Sequence, residues 1–87
     1  EVLENTSAIY PNPVSNNVTI ALNLIESNEV VIEVLNTLGQ RVMVDSSRMK
    51  AGENTITFPV ETLTNGLYYV NIKIANEMIT EKLNIIK

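Results

Sequence analysis

The chain has no cysteine, histidine or tryptophan, and its aromatic residues are one phenylalanine and three tyrosines among 87 residues. Without cysteine there is no disulfide framework and no thiolate metal site. Small secreted domains often lean on disulfides, and this one has to hold together by burial alone. Without histidine there is no histidine-based triad and no histidine-ligated zinc. Asp45 is the sole aspartate, which removes an EF-hand loop and an aspartyl dyad. The glutamates are scattered without a close pair and read as solvated surface. Gly39, Gly52 and Gly66 fall in separate turns, so no phosphate-cradling loop forms. Nothing in the chain reads as an enzyme or calls for a cofactor.

Charge is short on one side. Six basic residues face ten acidic ones, for a net charge of −4, and the basic residues do not cluster. Nucleic acid and anionic lipid are therefore poor partners. No apolar run approaches the ~18 residues of a membrane span, so direct insertion is not expected, and no signal peptide opens the chain. The first residue is Glu1 rather than Met, which suggests a piece of a longer protein, although a processed mature chain would look the same.

What the chain does have is 45% hydrophobic residues arranged with period two. Val18, Ile20, Leu22 and Leu24 alternate with Asn17, Thr19, Ala21 and Asn23. Val30, Ile32 and Val34 alternate with Val31, Glu33 and Leu35, and Tyr68, Val70, Ile72 and Ile74 with Leu67, Tyr69, Asn71 and Lys73. Such series give strands with one buried and one wetter face. Turns fall at Glu26–Glu29, Asn36–Gly39, Lys50–Glu53 and Asn76–Glu77. The resulting strands are 8–10, 17–24, 30–36, 41–45, 54–58, 67–75 and 78–86. Seven short strands with frequent turns predict an immunoglobulin-like, all-β antiparallel sandwich over residues 8–87. Residues 1–7 lack alternation and read as a linker or tail. Only Met43–Met49 could hold a helical turn, and Ser46-Ser47 favours a loop there. In the last strand Glu81 interrupts the apolar series of Ile79, Leu83 and Ile85, which predicts a bulge near Thr80–Lys82.

Two local features stand out. Leu63-Thr64-Asn65-Gly66-Leu67-Tyr68 matches a tyrosine corner, in which a tyrosine early in the sixth strand bonds back to upstream backbone. Val70 stands where disulfide-bonded immunoglobulin domains carry a cysteine. Pro11 and Pro13, around Asn12, lack N–H donors, so they end the opening strand and set the angle of the linker.

In order and spacing, Ile9-Tyr10-Pro11-Asn12-Pro13, Val34-Leu35-Asn36-Thr37-Leu38-Gly39-Gln40-Arg41-Val42 and Leu63–Val70, with the closing Lys82-Leu83-Asn84-Ile85-Ile86-Lys87, resemble the C-terminal sorting domain of the bacterial type IX secretion system. Leu35 departs from the pattern, since the family often carries an aromatic there. The resemblance implies a domain that ends a cargo protein, passes through the periplasm, and is recognised by the type IX translocon and its outer-membrane shuttle protein. It also implies that a surface cysteine-protease sortase cuts the domain off, leaving the cargo on the cell surface or secreted. By position, recognition would fall on Gly66, Tyr68, Val70, Lys82, Leu83, Ile85, Ile86 and Lys87. Asn5, Thr6, Ser7 and Ala8 are the candidate cleavage segment. A terminal strand with free backbone groups could also add to another sheet, allowing weak self-association. The competing reading of the residues is a fibronectin-like adhesion, carbohydrate-binding or spacer module, with Tyr69 and Tyr10 as candidate exposed aromatics.

Overall fold

Period-two apolar residues fold into strands when each can bury one face, and here every such series does. The computed structural model describes residues 4–87. It has strands β1 (Thr6–Tyr10), β2 (Asn17–Leu24), β3 (Asn28–Leu35), β4 (Arg41–Met49), β5 (Gly52–Pro59), β6 (Gly66–Ile74) and β7 (Glu77–Ile85). They form a three-stranded sheet in the order β1-β2-β5 and a four-stranded sheet in the order β4-β3-β6-β7, with every neighbouring pair antiparallel. In constant-type immunoglobulin sandwiches the fourth strand lies on the other sheet; here it pairs with β3.

Between the sheets lie Val18, Ile20, Leu22 and Leu24 of β2, Val30, Ile32 and Val34 of β3, and Tyr68, Val70, Ile72 and Ile74 of β6. Leu83 and Ile85 of β7, Met49 of β4, and Val14, Val60 and Leu63 from the connections complete this core. Removing one of these side chains to alanine would cost roughly 2–5 kcal/mol, a large share of what a domain of this size can hold in reserve.

Turn chemistry fixes the β3–β4 connection. Asn36 accepts at Oδ1 from the N–H groups of Leu38 (2.9 Å) and Gln40 (3.0 Å), and Gly39 turns the chain at φ +81°. A side chain at that φ would be strained, which is why glycine stands there.

Three expectations need correction. First, β4 does not stop at Asp45 but runs to Met49, because it pairs with β3 along its whole length, from Arg41↔Leu35 to Met49↔Asn28. Its polar run misled because β4 is an edge strand. Asp45 pairs with Ile32 and so points inward at the sandwich rim, a placement that discourages edge-to-edge association. Second, β7 has no bulge; its register with β6 is unbroken from Gly66↔Ile85 to Ile74↔Glu77. Glu81 keeps its inward parity because Ser7 of β1 donates a hydrogen bond to its carboxylate at 2.5 Å. The irregularity in this sheet lies between β3 and β4, at Val34/Leu35. Third, β1 opens at Thr6 rather than Ala8, with Thr6 opposite Asn23 and Ser7 opposite Leu22. Within the stretch read as a tail, residues 1–3 lie outside the described residues.

Candidate functional site

The residues singled out from the sequence divide into two groups. Tyr68, Val70, Leu83 and Ile85 are buried, so their side chains belong to the core. Gly66, Lys82, Ile86 and Lys87 are exposed and lie at one end of the β6–β7 pair. At that end the chain is closely tied.

Tyr68 forms the corner. Its hydroxyl donates to the Thr64 carbonyl at 2.7 Å and lies 3.1 Å from the Thr64 hydroxyl, while the ring is buried. The bond spans the turn that delivers the chain into β6, and Gly66 stands inside it at φ +148°. Lys87 closes the same turn from the other side. Its amide donates to Asn65 Oδ1 at 3.0 Å, and its ammonium donates to the carbonyls of Glu61 (2.7 Å) and Leu63. Lys87 is thus fastened to backbone rather than free.

The Pro11-Asn12-Pro13 segment occupies the outer edge of β7. Asn12 Nδ2 donates to the Lys82 carbonyl and Asn12 Oδ1 accepts from the Asn84 N–H, each at 2.9 Å. One residue beyond Pro13, Val14 bridges Ile85 in parallel: the Val14 N–H donates to the Asn84 carbonyl at 2.9 Å and the Ile86 N–H donates to the Val14 carbonyl at 3.0 Å. A primary amide with one donor and one acceptor reproduces what a neighbouring strand would offer. The prolines leave this role to Asn12, having no N–H of their own. Both preceding peptide bonds, Tyr10–Pro11 and Asn12–Pro13, are cis. The edge that the sequence presents as open is therefore closed from Lys82 to Ile86 by residues some seventy positions earlier in the chain.

β1 and the residue before it reach the earlier part of β7 through side chains alone. Besides the Ser7–Glu81 bond, Asn5 Nδ2 donates to Glu77 at 2.8 Å, and Asn5 Oδ1 accepts from the Ile25 N–H at 2.8 Å. Of the candidate cleavage segment, Thr6, Ser7 and Ala8 are thus paired strand, and Asn5 is tied on both faces of its amide.

One charged group is nearly buried, although the glutamates read from the sequence as solvated surface. Glu33 of β3 is 8% exposed on the outer face of the four-stranded sheet. Lys73 of β6 reaches its Oε1 at 3.0 Å and Arg41 of β4 reaches its Oε2 at 2.9 Å. Those two cations, Lys73 foremost, hold its carboxyl below the usual range against the opposing effect of burial. The signal was available in the alternation, which puts Lys73 and Glu33 on the same parity of facing strands.

Beside β4 and β5 the sandwich is slightly open, leaving a cavity of about 320 Å³ lined by Ile32, Val34, Met43, Ile56 and Phe58 with Asp45 at its rim. A lone carboxylate against apolar walls supplies neither an acid–base pair nor a nucleophile.

The two ends of the domain are thus fastened together, and comparison with protein families says what kind of domain this is. Residues 8–87 match the family described as the secretion system C-terminal sorting domain. The chain belongs to this family. Sorting domains of this kind are signals for type IX secretion and not a known enzyme family, so this domain marks its protein for export to the cell surface or beyond and engages the type IX machinery. Membership favours that function over an adhesion or spacer module. A comparison with curated proteins returned no match.

Proposed function

We propose that the domain is read as a folded object, by the type IX translocon and its outer-membrane shuttle protein, after its cargo has reached the periplasm. A surface cysteine-protease sortase then removes it. The observation that carries this reading is the closure of the β7 edge by Asn12 and Val14. A tail read as extended peptide would need free backbone donors and acceptors, and from Lys82 to Ile86 they are engaged. The exposed groups at this end, Lys82, Ile86 and the Pro11–Pro13 turn, are what a partner can touch. Tyr68, Val70, Leu83 and Ile85 act indirectly, by holding that surface in shape.

Cleavage falls on the N-terminal side of Thr6, because a protease cleft takes extended unpaired backbone and β1 is paired from Thr6 onward. Mass spectrometry of cargo released by the native host should place the new C-terminus before Thr6; a cut inside β1 would contradict the reading. Sufficiency is the direct test. A periplasmically exported reporter followed by residues 1–87 should reach the cell surface or medium of the native host. A reporter that stays periplasmic with its domain folded and protease-resistant would overturn the proposal.

A further inference from the structure

The outer face of the four-stranded sheet carries a charge balance opposite to that of the whole chain. Strand register places Glu29, Val31, Glu33 and Leu35 of β3 on that face, with Arg48, Ser46, Val44 and Arg41 of β4 opposite them. From β6 and β7 come Leu67, Tyr69, Asn71 and Lys73, facing Asn84, Lys82, Thr80 and Met78. Four of the six basic residues of the chain therefore stand here against two of its ten acidic ones. One of those two, Glu33, is already neutralised by Lys73 and Arg41.

The residues also form an ordered row. Arg41 on β4, Leu35 on β3, Tyr69 on β6 and Lys82 on β7 are successive cross-strand neighbours. Two half-buried apolar side chains thus sit between two exposed cations. At ~4.8 Å per strand the cations stand about 14 Å apart. Glu33 fixes Arg41 at one end of the row, while the Lys82 side chain makes no ion pair among the described residues. Leu67, 39% exposed, lies next to Tyr69's row and extends the apolar strip.

We propose that this row is the docking surface for an acidic protein partner of the export machinery, one that presents an apolar or aromatic side chain flanked by carboxylates. The inference rests on the sorting function and adds to it the face that is read and the chemistry that reads it. Charge complementarity selects the partner: an apolar centre supplies contact area, and the flanking cations set orientation and exclude basic surfaces. An anionic lipid surface is the weaker occupant. Membrane binding through charge uses clusters of about 4–8 cations without intervening acids, and here the face carries a surplus of only two.

The test uses a reporter fused to the whole chain in the native host, with thermal unfolding of each purified domain measured in parallel. Lys82→Glu should lower secreted reporter roughly tenfold, the scale of one lost charge-assisted contact, while leaving the melting temperature unchanged. Lys82→Arg should secrete normally. Lys50→Glu, the same charge change in the loop before β5, should also secrete normally, and Tyr69→Ser should add to the Lys82→Glu defect. Normal secretion of the Lys82→Glu/Tyr69→Ser reporter, with a domainless reporter retained, would overturn the surface and leave the sorting function intact. Escape of the domainless reporter as well would overturn the sorting function itself. An equal defect from Lys50→Glu would reduce the effect to net charge and overturn the surface. Binding of the purified domain to phosphatidylglycerol–phosphatidylethanolamine vesicles, abolished by Lys82→Glu, would overturn the protein partner in favour of lipid.

Discussion

Asn12→Ala removes one donor and one acceptor from the outer edge of β7 and changes little else, since Asn12 is exposed and contributes nothing to the core. A typical intramolecular hydrogen bond is worth ~0.5–1.5 kcal/mol net, and at an exposed edge water competes for both partners. The pair together should therefore contribute about 1–2 kcal/mol. A chain of this length unfolds in urea with a slope on the order of 1–1.5 kcal/mol per molar, so the midpoint should fall by about 1 M. Hydrogen exchange gives the residue-level check. The Asn84 amide, which donates to Asn12, should exchange faster than the global stability loss explains. Asn12→Asp should recover half of the effect at most: it keeps an acceptor for Asn84 but sets a carboxylate oxygen against the Lys82 carbonyl. An unchanged urea midpoint together with unchanged exchange at Asn84 would show that the edge is not held by Asn12, and the closed-edge reading would fail with it.

Tyr68→Phe should cost about 1–2 kcal/mol, since it strands the Thr64 carbonyl beside a buried ring; Tyr69→Phe, half-buried on the opposite face, should cost far less, and equal losses in denaturation would refute the corner. Gly66→Ala should lose roughly 1–3 kcal/mol from backbone strain alone, because an added Cβ meets no atom within 4 Å while φ stays at +148°; a thermal midpoint at the wild-type value would refute it. Glu33 has a folded-state pKa held below its unfolded value, so its contribution is present above the ordinary glutamate pKa of ~4.3 and is lost as pH falls through the lowered one. Stability measured from pH 6 down to pH 2 should thus decline more shallowly in Glu33→Gln than in the wild type, and parallel acid limbs would sink the assignment.

The strands and their buried parity were legible because alternation is a physical requirement of a face that must leave water. The corner was legible because Leu63, Gly66 and Tyr68 stand at fixed offsets in one short segment. Other features depend on pairs distant in sequence, which no local pattern carries. Ser46 and Ser47 read as loop because an edge strand can point polar side chains such as Asp45 and Ser47 inward at the rim, where water still reaches them. Glu81 read as a register error because its partner, Ser7, lies on a strand whose polar residues looked like a tail. Glu33 read as solvated surface because each of its two cations comes from a different neighbouring strand. Asn12 read as an ordinary turn residue between prolines; only the folded chain shows its amide acting as a stand-in strand.

The fastening of residues 12–14 to residues 82–86 also bears on synthesis. Chains emerge N-terminus first, so the Pro11–Val14 segment is made long before the strand it binds, and it has no partner until that strand arrives. A copy that stops short of β7, or is nicked ahead of it, is therefore altered at its opposite end as well, where Asn12 and Val14 lose their partners. Completion of the last strand is thus registered at both ends of the domain, because the Asn12 amide and the Val14 backbone find their partners only there.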